Sequence, residues 1–467
     1  MKKFLIGLLV LCLVVIGVLG LTGTSIGKSP AVQHIVSDEA ADASVIGGAD
    51  SPTEIQVTGE AAAEPETAAA EPETATAAEP ETAEAESNSA DAVEAQPEQP
   101  DAPSTVPEEP AVASGRINYE ALYSLYAPEE KVLKVNDKEE TWGDYFYILF
   151  TQCGQIEQYF DSMSAYYGMQ FHWDEPVEEE GEGGDTYAEA ALESVDNLMI
   201  QLGALEKFAE ENGVEVSEEM RGMIEAQKQQ DITSALGEEG TEEAFYEYLE
   251  QIHLSRDMYD RIVTQNYLYQ ESFNRLYGEN AVNLPDEAAL KFLEDNGYVT
   301  AAHILLLNTD EESGEKLDEA ALAEKKAELE ALVSELRAIE DDMERKEAFL
   351  QKVTELSEDP GSARYPEGYT YTAGTMVPEF EAAAEALEDY AVSDVIETSY
   401  GYHILMRLPL SPDAIVEFSS TTGEARTARM LAANQEYAAK LQATADELKL
   451  EWLPGHEQPD LLNYVAE

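Results

Sequence analysis

The chemistry in this chain turns on two histidines. YVTAAHILLLNTD (298–310) and TSYGYHILMRLPL (398–410) each place one imidazole inside an apolar run, followed both times by Ile-Leu. A single histidine in such a run is ordinarily a hydrogen-bonded core residue. Two in matching runs shift that weight: if their strands are neighbours, both rings can point to one face and hydrogen-bond each other, each fixing the other's tautomer. A metal site would need a third or fourth ligand at suitable spacing, and the sequence offers no HxxxH, HxH or cysteine cluster. A Ser-His-Asp hydrolase would need a glycine-flanked nucleophile, which the sequence does not offer.

The elements that must position these rings can be read outward from them. VLKVNDKEET (132–141) predicts a β-hairpin turning at Asn136-Asp137, and Thr141 with Asp144 predicts a capped helix start. Helical patterns follow over 187–211, 217–236, 241–278 and 286–295, with Asn212-Gly213 and Asn296-Gly297 as stops. The second stop leads straight into the first histidine strand. A polar loop, one long charged helix through Leu356, a glycine- and tyrosine-rich stretch and a helix near 378–388 precede the second. A last helix is expected over 423–448 and a short strand over 448–453.

The N-terminus sets the compartment. Lys2 and Lys3 precede an unbroken apolar or glycine run over 4–21, which is long for a signal peptide and short for a spanning helix. The charge asymmetry sends the remainder outward. Residues 1–28 are therefore expected to be a signal peptide or membrane anchor, with Cys12 as apolar filler within it. Cys153 is the only other cysteine, so the exported part forms no internal disulfide and its thiol is safest buried. Residues 29–115 contain no Lys or Arg and repeat EPET at 64–67, 71–74 and 79–82. Such composition cannot offset its ordering entropy, and 29–116 is expected to be a disordered acidic linker. A net charge of −70 excludes ordinary nucleic-acid binding, which needs Lys and Arg against phosphate.

Four words between and around the histidines occur in a telling order: AAHILL, LSEDPGSA (356–363), AGTMVPEFEAAAEAL (373–387) and VIETSYGYHILMRL (395–408). Together they resemble the parvulin family of peptidyl-prolyl cis/trans isomerases, and the wider layout is similar to extracytoplasmic foldases of the PrsA/SurA type. The resemblance implies an α+β fold: a four-stranded antiparallel sheet with surrounding helices over 296–410, inserted between a helical chaperone region over 117–295 and a C-terminal helix over 411–467 that packs back onto it. It implies catalytic roles for His303, His403 and Asp359, the last standing where other parvulins have cysteine or aspartate. It implies proline-binding roles for Met376 and Phe380, a link from Thr398 to the histidine pair, and an approximate match for Tyr371. RYPEGYTYTAG (364–374) departs from the family's GGDLG-type turn, so that wall of the pocket is left open. The loop NTDEESGEKLDE (308–319) is acidic where phosphate-selective parvulins are basic, which argues against phospho-selectivity. No cofactor is implied. The implied partners are unfolded exported polypeptides with X-Pro bonds and, through 1–28, the membrane; homodimer formation is left open. The competing reading is a non-catalytic holdase that grips clients in an aromatic cleft of its helical region.

Overall fold

The computed structural model describes residues 115–168, 170–177, 185–310, 313–419 and 422–466; the expectations for 1–28 and for 29–114 lie outside the described residues. Helix α1 (Tyr119–Tyr123) leads to the hairpin β1 (Lys131–Val135) and β2 (Lys138–Thr141), whose turn places Asn136 at φ 53°. Helix α2 (Trp142–Tyr167) begins where the Thr141 hydroxyl accepts the Asp144 N–H, and it buries Tyr145, Phe146, Ile148 and Leu149. Helix α3 (Tyr187–Glu211) opens on a reciprocal Thr186–Glu189 capping box. Helix α4 (Glu218–Leu236) follows from the Ser217 cap.

Residues 241–278 form two helices, not the single one the periodicity predicts: α5 (Glu242–Glu250) and α6 (Arg256–Tyr277). The break is built by polar caps. His253 adopts φ 60°, and the Ser255 hydroxyl accepts the Met258 N–H to start a new helix. After α7 (Asp286–Asp295) come β3 (Val299–Leu307), α8 (Glu319–Arg337), α9 (Asp342–Leu356), β4 (Tyr369–Tyr371), α10 (Pro378–Glu385), β5 (Ile396–Glu397) and β6 (Gly401–Leu408). Here too one expected helix is two, because the Asp341 carboxylate accepts the Met343 and Glu344 N–H groups and restarts the chain. The C-terminal part holds a hairpin absent from the sequence reading, β7 (Ile415–Phe418) with β8 (Ala425–Thr427). Helix α11 (Ala428–Ala445) therefore begins later than expected, at the Thr427 cap, and β9 (Leu450–Trp452) is the last strand, followed by a 3-10 turn over Leu461–Tyr464.

The strands pair as β2-β1-β9, β4-β3-β6-β5 and β7-β8, all antiparallel. One core cluster draws on residues from 117 to 289 and again from 432 to 461. Within it Cys153 is fully buried, and burial raises its thiol pKa, which keeps it protonated and unreactive. The four-stranded sheet has a core on each side. Ala302, Ile304, Leu306, Ile404 and Met406 pack with Leu329, Leu332 and Val333 of α8 and with Phe349 and Val353 of α9. Ala301 and Leu405 pack on the other side with Tyr369, Tyr371, Phe380 and Ala384. Side chains alternate along a strand, so successive residues serve opposite cores. That explains why β3 reads as a continuous apolar run.

Ile404 is fully enclosed in the first of these cores. Ile404→Ala should lower unfolding stability by about 3 kcal/mol, measured by urea denaturation. Met343→Ala, at a residue 59% exposed, should change it by less than about 0.5 kcal/mol. Equal effects would contradict the packing described.

Candidate active site on the four-stranded sheet

In the β3–β6 ladder His303 lies opposite Leu405 and His403 opposite Leu305. Directly paired residues share a face, so Ala301, His303, His403 and Leu405 all project to the same side. The ring centroids are 5.4 Å apart with planes at 44°. The sequence reading allowed the rings to bond each other. They do not: the histidines sit diagonally across the ladder, not opposite, and each Nε2 turns to a partner of its own. His403 Nε2 is 2.9 Å from Thr398 Oγ1, which also accepts the Tyr400 N–H at 3.1 Å. His303 Nε2 lies 3.5 Å from Asp359 Oδ2.

Asp359 is held by its own loop. Its carboxylate accepts the Gly361 N–H at 3.1 Å, the Ser362 hydroxyl at 3.1 Å and the Tyr369 hydroxyl at 2.6 Å. A Cβ on Gly361 would come within 2.0 Å of that Tyr369 hydroxyl, so only glycine leaves room for the bond. Tyr369 was not among the residues singled out from sequence, yet its ring lies 5.4 Å from His303. The available signal was the alternation in YTY, which puts Tyr369 opposite Ala301 and Tyr371 opposite Val299, on the face of the histidines.

Phe380, from α10, stands edge-on to His303 at 5.3 Å and 85° and lies 5.9 Å from Tyr371. Met376 is half-buried against the same cluster. Its N–H and that of Gly374 both donate to Glu381 Oε1 at 2.8 Å, which fastens the loop ahead of α10, and Pro378 occupies the first turn of that helix. The wall left open over 364–374 is formed by β4 and by Gly368. There φ is +94° and a Cβ would meet the Ala301 carbonyl oxygen at 2.8 Å, so the chain can run against β3 only as glycine. All seven residues proposed from sequence thus border one face.

Burial lowers the pKa of His303, against the opposing pull of Asp359. Burial lowers that of His403 to about 3, with His303 adding to the effect and Asp359 opposing it. Both rings are neutral at pH 7. Their Nδ1 atoms and the Tyr371 hydroxyl make no hydrogen bond among the described residues; they are the polar atoms of this face that the fold does not use. Among the described residues no three His, Cys, Asp or Glu side chains gather as around a metal ion.

Residues 303–408 match the rotamase family, described as a PPIC-type PPIASE domain. This stretch is a parvulin-type rotamase domain. The chain is similar to foldase protein PrsA of Geobacillus sp., at 41% identity over 70 residues, which is 14% of this chain and 25% of that protein. It is similar to chaperone SurA of Alkalilimnicola ehrlichii at 37% over 71 residues, 15% of this chain and 16% of that one. The match therefore spans a quarter or less of these relatives' own lengths. The crystal structure of PrsA from Bacillus subtilis aligns over 69% of this chain and 92% of its own, at 17% identity and a TM-score of 0.22.

The neutral histidines carry a signed consequence. His403 has a folded pKa of about 3 and an unfolded one of about 6.5, so between these values the unfolded chain binds the extra proton. Stability is complete above pH 6.5 and is lost as pH falls, by up to about 1.4 kcal/mol per unit from this residue. Urea titrations at pH 7, 6, 5 and 4 should show the unmodified chain losing stability more steeply than His403→Gln. Parallel curves would mean the ring titrates normally.

Proposed function

We propose that the protein is a peptidyl-prolyl cis/trans isomerase without phospho-specificity, acting as a foldase on exported polypeptides. The observation that carries this is the neutral histidine pair wedged between the Asp359–Tyr369 bond and the Phe380 ring. X-Pro bonds exchange over tens to hundreds of seconds because amide resonance must be broken, at ~18–20 kcal/mol. An enzyme for this rotation must favour the twisted amide over both planar forms. A twisted amide gains no net charge, so a dry site with neutral dipoles suits it better than an ion pair.

In this reading Met376, Phe380 and Tyr371 receive the proline ring and its flank. His303, His403 and Asp359 set the polar network around the rotating carbonyl, with Thr398 orienting His403. A carboxylate at 359 in place of a thiol supports a non-covalent route, and no cofactor takes part. Phosphate selectivity is disfavoured because Lys325, a cation beside the loop after β3, is already engaged by Glu358 at 2.7 Å. The 296–410 segment would be the catalytic domain, 117–295 with 411–467 the client-holding part, and 29–116 a spacer. Residues 1–28 would bring the chain to the membrane, with the globular part outside the cytoplasm.

The test uses the full chain and an unphosphorylated X-Pro peptide followed by protease-coupled or NMR exchange. Acceleration is expected. His303→Gln and His403→Gln should each reduce kcat/KM by about tenfold or more, roughly 1.4 kcal/mol of transition-state stabilisation. The double variant should lose much less than the combined single losses, because both rings belong to one network. Chelators should change nothing. Folded protein that suppresses client aggregation without accelerating exchange would establish the holdase instead.

A further inference from the structure

A ladder of aromatic rings leads away from the histidine pair. Tyr369 lies against His303, Tyr365 stacks on Tyr369 at 4.5 Å and 31°, and Phe418 meets Tyr365 edge-on at 5.3 Å. Phe418 belongs to β7, outside the stretch that matches the rotamase family. Over its ring lies the guanidinium of Arg364, with Cζ 3.9 Å from the centroid.

Arg364 is exposed, and among the described residues no carboxylate forms an ion pair with it. Glu367 of its own loop takes Lys346 at 3.5 Å, Glu417 on the strand of Phe418 takes Arg426 at 3.1 Å, and Asp359 takes the Tyr369 hydroxyl. In a chain with 97 acidic and 27 basic residues, the Arg364 guanidinium is seated on an aromatic face and not on a carboxylate. A guanidinium laid flat on an aromatic face keeps its N–H edge for a carboxylate and has already lost much of its side-chain freedom.

We propose that Arg364, seated on Phe418, is a specificity-determining residue that reads an acidic side chain on the client, several residues from the proline. Three ring-to-ring steps of 5.4, 4.5 and 5.3 Å lead from His303 to Phe418 and the guanidinium lies 3.9 Å beyond, a path of at most about 19 Å; an extended peptide advances ~3.3 Å per residue, which puts the acid within roughly six positions of the proline. The hairpin β7–β8 thereby adds a subsite to the rotamase domain from outside it. This inference rests on the isomerase reading for its substrate class.

The experiment scans a single Glu, against Gln, through every position from six before to six after the proline in an otherwise neutral peptide. The full chain is assayed for KM by isomerisation and for Kd by fluorescence anisotropy. Glu should improve both by about three- to tenfold at one position within the expected span. That Glu-to-Gln preference should fall to about one in Arg364→Gln, shrink in Phe418→Leu, and weaken in 0.5 M salt as screening requires. A flat scan, or a preference that survives Arg364→Gln in a chain with an unchanged melting curve, overturns the subsite. Turnover of the all-Gln peptide reports separately on the isomerase reading, and without turnover the anisotropy scan still decides for or against the subsite.

Discussion

The register of β3 against β6 is the constraint on which the rest depends. A slip of one residue in either strand would send its histidine to the opposite face. It would also drive Ile304 or Ile404 out of the core beneath α8 and α9, where both are fully enclosed. The repeated His-Ile-Leu acquires its meaning here: the histidine and leucine face the site while the intervening isoleucine anchors the back of the sheet. The greasy flank of each ring is what fixes it in place. The polar site is positioned by apolar packing on the side it does not use.

Burial then sets the charge. Two imidazoles with 5.4 Å between centroids would repel if both were protonated, and desolvation already favours the neutral forms. Asp359 pulls the other way, but its carboxylate is shared with a backbone N–H, the Ser362 hydroxyl and the Tyr369 hydroxyl. Hydrogen-bond donors that satisfy a carboxylate reduce its demand for a cation. The site therefore gathers two rings and an acid without a salt bridge inside hydrogen-bonding distance, an arrangement suited to orienting dipoles and poorly suited to shuttling protons at neutral pH.

Sequence patterns revealed what is local or periodic. The His-Ile-Leu words, the strand and helix order around them and the bounds 187–211 and 286–295 could be read because period and stop signals agree there. The helix breaks after Glu250 and Arg337 could not, since Ser255 and Asp341 end a favourable pattern through caps whose strength depends on neighbouring geometry. The β7–β8 hairpin escaped because its strands are short and only partly buried, leaving little alternation to detect. Tyr369 escaped for a different reason. Its role depends on a bond to a residue ten positions away across a folded loop, and no spacing rule encodes that contact.

The chain must also leave for the four-stranded sheet and come back, and one side chain of α11 fastens both crossings. Arg429 donates from Nη2 to Asp286 at 2.6 Å, ahead of β3, and from Nε to Asp413 at 2.8 Å, just after β6. Its Nη1 donates to the Leu284 carbonyl oxygen at 2.5 Å. The guanidinium is buried while both carboxylates stand largely in water, so most of the desolvation cost falls on a group that the two acids and the carbonyl satisfy. Arginine suits the position as lysine would not, because a planar fork can meet three acceptors in fixed directions. The same return path carries Phe418 to the rim of the site. The segment that closes the fold behind the sheet thus also ends the row of rings that begins at His303.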